Sequence, residues 1–246
     1  MHQLEQAAVS YGLLPFFSHR IPRFSVAAMA APGCLFGDGS DDYGCWEWKG
    51  PVIRMKTCAY GKFFNRKAGF IALPLLPDFI NYRRNAYPLK PDSTEEMLLD
   101  IIRENEGMTS TELRKMIFGG PKRRKADDLV DIVPVEAPIK GRRHSLEGPL
   151  QRLQMGGRLL ISDFTYKLTS RNERYGWGVA CYSTPELWFE RHFDISRTPQ
   201  ESFEILAEGA VGIRGVFGNL GALLIHRSCK SSQVARLSKS CEFLLA

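Results

Sequence analysis

Residues 150–189, LQRLQMGGRLLISDFTYKLTSRNERYGWGVACYSTPELWF, switch their apolar period along their length, and that switch restricts the fold. Leu150, Leu153 and Met155 fall at near-helical spacing, and Gly156-Gly157 stops the helix. Leu159, Ile161 and Phe164 then mark a strand that runs into the polar stretch Thr169-Ser170-Arg171-Asn172-Glu173-Arg174. Tyr175, Trp177, Val179 and Cys181 restart at period two, which predicts a half-buried strand paired antiparallel with the first. The segment therefore reads as helix, strand, basic turn, strand and short closing helix.

A helix feeding a hairpin with a basic tip is the third helix and wing of a winged helix. The preceding residues supply two more capped helices. Ser93-Thr94-Glu95-Glu96 is a capping box whose helix lines up Met97, Leu98, Ile101 and Ile102. Thr109-Ser110-Thr111-Glu112 is a second, followed by Leu113, Met116 and Ile117. The expected fold class is α+β: a mixed N-terminal block with a β-hairpin, then a winged helix-turn-helix. The expected boundaries are 1–90, 91–195 and 196–246, with 119–144 an insertion in which Leu129–Val133 could add a strand or a helical turn.

The first block opens on a short surface helix, MHQLEQAAVSYG. An extended segment flanked by Pro15 and Pro22 follows. CWEWKGPVIR alternates as a strand, with Trp46 and Trp48 on one face and Glu47 and Lys49 on the other. Tyr60–Phe64 and Ala68–Ile71 make a hairpin around Asn65-Arg66-Lys67, and Leu76–Arg84 makes a helix. The aromatic side chains here read first as core and second as a stacking surface for bases. Residues 199–208 read as a helix after a capping region at Ser196–Thr198. The glycine-rich basic tail beyond, with Arg214, Arg227, Lys230, Arg236 and Lys239, is expected to pack poorly.

Composition bounds the partners. The chain carries a net charge of +6, and its basic residues are clustered, with Lys122-Arg123-Arg124-Lys125 and Lys140, Arg142 and Arg143 bracketing the insertion. No run of apolar residues is long enough to span a bilayer, and the N-terminus lacks a signal-peptide pattern, so a cytoplasmic protein is expected. The six cysteines, Cys34, Cys45, Cys58, Cys181, Cys229 and Cys241, form no CxxC pair, which favours reduced thiols over zinc. Asp38, Asp41 and Asp42 read as a solvated loop, and no metal or cofactor is expected. The five histidines, His2, His19, His144, His192 and His226, are dispersed, and no GxSxG, HExxH or GxxxxGK[ST] motif is present.

Several segments match a known pattern in order: FFSHRIPRFSV, CWEWKGPV, AYGKFF, KAGFI, PDFINYRR, LQRLQM and YGWGVACYSTPELWF. Over Tyr11–Leu206 the chain resembles the bacterial AlkZ-related winged-helix proteins, shorter relatives of the crosslink- and alkylation-repair DNA glycosylases. That resemblance implies DNA repair or maintenance and a tandem winged-helix ancestry. The glycosylases activate water with a Gln-x-Gln or Gln-x-Asp pair, and this chain contains neither; Gln151 and Gln154 are three apart on one helix. The tail after Gly209 also departs from the leucine-rich final helix that the resemblance implies.

The residues that could act follow from these readings. For double-stranded DNA they are Ser145, Gln151, Arg152 and Gln154 on the third helix, with His144 and Glu147 beside them. Arg171, Asn172 and Arg174 on the wing, and Lys122, Arg123, Arg124, Arg142 and Arg143 in the insertion, would meet phosphates. Glu47, between two tryptophans, is the one candidate acid or base, against a plainer role in a salt bridge with Lys49, Arg54 or Lys62. The first functional reading is a DNA-binding winged helix. The alternatives are a glycosylase-like hydrolase acting on alkylated or crosslinked bases and a winged helix that binds protein.

Overall fold

The computed structural model describes residues 1–18, 24–36, 44–118, 145–172 and 174–211. The basic bracket from Lys122 to Arg143, the acidic loop at 38–42, residues 129–133 and the tail after 211 lie outside them. The described chain is α+β, with helices packed around two three-stranded antiparallel sheets.

The helix α1 (His2–Tyr11) buries Leu4 and Ala8 and leads into β1 (Leu13–Pro15). A single turn, α2 (Val26–Met29), is capped by Ser25, whose Oγ accepts from the Ala28 amide. Next comes α3 (Cys45–Arg54), which corrects the strand expected for CWEWKGPVIR. Its buried residues Cys45, Lys49, Val52 and Ile53 sit at i, i+4, i+7 and i+8, which is helical spacing. The alternation of Trp46 and Trp48 fits a strand equally well, but the buried side chains follow the longer period. Pro51 removes one intrahelical hydrogen bond, and the burial of Val52 and Ile53 immediately after it outweighs that loss.

The strands β2 (Cys58–Phe64) and β3 (Lys67–Ala72) form the expected hairpin, with β1 on the other side of β3. Asn65 and Arg66 both take positive φ (43° and 66°), the left-handed backbone that a two-residue hairpin turn requires. Gly69 is required by space rather than by φ. A Cβ there would stand 2.5 Å from the Leu14 carbonyl oxygen and 2.5 Å from the Phe64 ring.

A 3-10 turn at Leu73–Leu75 leads into α4 (Leu76–Ala86). The two capping boxes close as expected. In α5 (Thr94–Glu104) the Ser93 hydroxyl accepts from the Glu96 amide, and the Glu96 carboxylate accepts from the Asp92 amide. The short strand β4 (Met108–Thr109) precedes α6 (Ser110–Phe118), where Thr109 and Glu112 cap each other. The Thr109 amide and hydroxyl hold the Glu112 carboxyl below its ordinary pKa.

The helix α7 (Glu147–Met155) places Leu150, Leu153 and Met155 in the core and carries Pro149 in its first turn, where proline is tolerated. The strands β5 (Leu160–Leu168) and β6 (Arg174–Ser183) pair antiparallel, and β4 adds to the free edge of β6. β5 starts buried and ends in solvent, so the hairpin tip projects from the body. This modifies the half-buried face expected for β6. Cys181 is buried, whereas Trp177 is 69% exposed because it lies on the projecting part. The closing turn α8 (Pro185–Trp188) is capped by Thr184.

The last described helix, α9 (Pro199–Val211), packs against α4. Its anchor is polar. Asp78, 3% exposed, accepts two hydrogen bonds from the Arg197 guanidinium and one from the Ser202 hydroxyl. Asn81 donates to the Arg197 carbonyl and to Ser202 Oγ. One continuous apolar core runs from Leu4 through Tyr60, Phe79, Leu98 and Leu150 to Leu206.

Candidate nucleic-acid interface

The tip of the β5–β6 hairpin holds Arg171, Asn172 and Arg174, all exposed. Asn172 adopts φ 63° and donates its amide to the Thr169 carbonyl, which closes the turn. Arg174 lies over the Tyr166 ring at 4.9 Å, so its charge is steered by a face it covers. Lys167, also exposed, adds a third cation that sequence reasoning missed. Its signal was a basic residue interrupting the apolar strand just before the polar turn. Among the described residues none of these three cations forms an ion pair.

On the projecting half of the hairpin, Trp177 meets the Trp46 ring edge to face at 5.5 Å and the Phe36 ring at 6.4 Å. Trp46 in turn contacts Phe16 and Phe17, and Phe16 contacts Tyr60 and Phe70. Most of the N-terminal aromatic side chains are therefore core, and the exposed rings of this group are Phe36 and, on the hairpin, Trp177.

The polar residues of α7 are occupied within the chain. Gln154 is 1% exposed; its side chain accepts from the Lys62 amide at 2.9 Å and donates to the Leu150 carbonyl at 3.0 Å. That corrects its assignment as a DNA contact, because a groove cannot reach it. Gln151 donates to the Arg66 carbonyl in the β2–β3 turn, and Arg152 is ion-paired with Glu95. Glu147 pairs with Lys62 at 3.2 Å. The β2–β3 hairpin therefore lies against the helix face expected to read bases. Ser145 is exposed ahead of α7, where its hydroxyl accepts from the Glu147 amide.

Glu47 forms none of the three salt bridges considered for it. Arg54 pairs with Asp163 at 2.6 Å, Lys62 with Glu147, and the Lys49 ammonium donates to the Trp46 carbonyl. The Glu47 Oε2 atom is buried without a hydrogen-bond partner.

Three cavities border the described residues named here. One of about 580 Å3 lies between Tyr87, Leu89, Lys90, Glu95, Arg152 and Leu153. A second, of about 280 Å3, is framed by Arg84, Arg103, Arg158, Thr184 and Glu186. The third, of about 330 Å3, is apolar and lies between α1, α2 and α3. Glu47 lines none of the three.

Over residues 1–212 the chain matches the family described as AlkZ related. The chain belongs to the AlkZ-related family. The match stops at the end of α9, in agreement with the change of sequence character after Gly209. No curated protein and no solved structure matches this AlkZ-related chain. Among the described residues no helix is long and apolar enough to cross a membrane.

Proposed function

We propose that this AlkZ-related protein binds duplex DNA in DNA repair or maintenance, and that the β5–β6 hairpin acts as the wing of a winged helix formed with α5, α6 and α7. The observation that carries the reading is the trio Lys167, Arg171 and Arg174 at the projecting tip, exposed, without ion pairs among the described residues and next to the exposed Trp177. Cations without carboxylate partners retain their attraction for phosphates, and an exposed indole supplies a flat apolar contact. Family membership supports the link to repair.

The grip is through phosphates more than bases. With Gln154 buried and Gln151 and Arg152 bonded within the chain, α7 has little left to offer a base edge. Arg142, Arg143 and the cluster at 122–124 remain candidates for further phosphate contacts just ahead of Ser145. A hydrolase reading has weaker support: the chain lacks the Gln-x-Gln and Gln-x-Asp pairs, and Glu47 lines none of the three cavities.

Fluorescence anisotropy on a labelled duplex across a salt series tests this. Replacing Arg171 and Arg174 by Ala should flatten the slope of log K against log salt by about two, to a similar degree on unrelated sequences. Absence of binding by the unaltered protein at about 50 mM salt would overturn the reading and favour a wing that contacts protein.

A further inference from the structure

The cavity framed by Arg84, Arg103 and Arg158 adjoins the larger one beside α7, and the two share Leu89 and Arg158. Their linings differ in kind. The smaller brings three guanidinium groups and one carboxylate, Glu186, around about 280 Å3. Glu186 is already committed to Arg84 at 2.6 Å. Arg158 donates to the Gly156 carbonyl, and among the described residues it has no carboxylate within ion-pair distance. Among the described residues Arg103 pairs only with Asp100 one turn away, an exposed contact of the kind that contributes little. The Arg84 Nε–H is buried and unpartnered. Burial, together with the charges of Arg84 and Arg103, pushes the Arg158 guanidinium below its ordinary pKa.

Gathering like charges in a partly buried space costs free energy that an oxyanion would offset. Guanidinium groups match phosphate geometry in paired hydrogen bonds. The larger neighbour has polar lining at Lys90, Ser93, Glu95 and Arg152, but Tyr87, Pro88, Leu89 and Leu153 give it an apolar and aromatic wall suited to a flat ring.

We propose that the two adjoining cavities form one binding site for a nucleotide-class phosphomonoester, with its phosphate against Arg84, Arg103 and Arg158 and its base and sugar against Tyr87, Leu89 and Leu153. The site lies on the α4–α5–α7–α8 seam and does not depend on duplex binding by the wing.

Calorimetric titration of the full chain with deoxyadenosine 5′-monophosphate, deoxyadenosine and inorganic phosphate separates the contributions. The monophosphate should bind at least about tenfold more tightly than either part, since both cavities then contribute. R158Q and R103Q should each weaken it by about tenfold. Arg103 is exposed, so R103Q retains the fold even where R158Q does not. Replacing Arg171 and Arg174 by Ala should leave monophosphate binding unchanged whether or not duplex binding is lost. Equal affinity for phosphate and monophosphate would overturn the two-part site. Unaltered binding by R103Q, loss of binding in the wing variant, or no monophosphate binding at about 1 mM would overturn its location or existence.

Discussion

The Lys49 ammonium lies 3.6 Å from the centroid of the Trp46 ring and donates a 2.6 Å hydrogen bond to the carbonyl oxygen of the same residue. The Phe164 ring closes the other side at 4.4 Å, and the side chain is 2% exposed. Cation–π attraction and one hydrogen bond therefore replace the water that a lysine ordinarily keeps.

Burial lowers the Lys49 pKa to about 8, against 10.5 for the free side chain. The folded state thus binds fewer protons than the unfolded state between these values, and stability rises with pH across that window. Below about 8 the penalty is present in full. Cys58 and Tyr182, each pushed up to about 12 by burial, act in the opposite direction, and so they must be cancelled by comparison. Denaturation of K49M alongside the unaltered protein does this. The variant's relative advantage should shrink by up to about 3 kcal/mol from pH 7 to pH 10.5. A pH-independent difference would show that the ring contacts and the hydrogen bond compensate in full for the lost hydration.

Gln154 should behave as a structural residue. Q154A leaves the Lys62 amide without its acceptor and opens a small cavity, at a cost of about 1–3 kcal/mol. Its effect on duplex binding, measured well below the new melting temperature, should be the same on every sequence. A change confined to one preferred sequence would restore Gln154 as a base contact.

Asp78 couples α4 to α9. In D78N the Arg197 guanidinium loses its ionised acceptor and Ser202 its carboxylate, which should cost about 2 kcal/mol in urea denaturation. The loss should be much smaller once Arg197 is also replaced by Ala, because the two changes then remove the same interaction. Additive losses would refute the coupling.

G69A places a methyl group against the Leu14 carbonyl oxygen and the Phe64 ring. The ring can rotate but the carbonyl belongs to the paired strand β1, so a cost of about 3 kcal/mol is expected. A thermal melt within a degree or two of the unaltered protein would mean that β1 shifts freely.

Local chemistry made much of this fold legible. Ser93, Thr109 and Thr198 each precede a glutamate by three residues, and each cap forms between neighbours in sequence. The β2–β3 and β5–β6 hairpins followed from alternation around short polar turns. CWEWKGPVIR was ambiguous because ten residues satisfy both periods, and the aromatic pair favoured the wrong one. The fate of Gln154 was not legible at all. It depends on a partner 92 residues away, and nothing in LQRLQM distinguishes a glutamine that meets solvent from one that closes a sheet. The arginines around the nucleotide-class cavity were hidden for the same reason, since 84, 103 and 158 converge only in three dimensions.

The contact of Trp177 with Trp46 and Phe36 ties the projecting half of the β5–β6 hairpin to the body of the protein. Swinging the hairpin would break two aromatic pairs, each worth about 0.5–1.5 kcal/mol. Lys167, Arg171 and Arg174 are thus held at a set reach and bearing before any polyanion arrives. The orientational freedom that a floppy basic loop would surrender at the moment of contact has already been given up during folding, so in the proposed duplex complex the charges would meet a helical backbone as a template of fixed geometry.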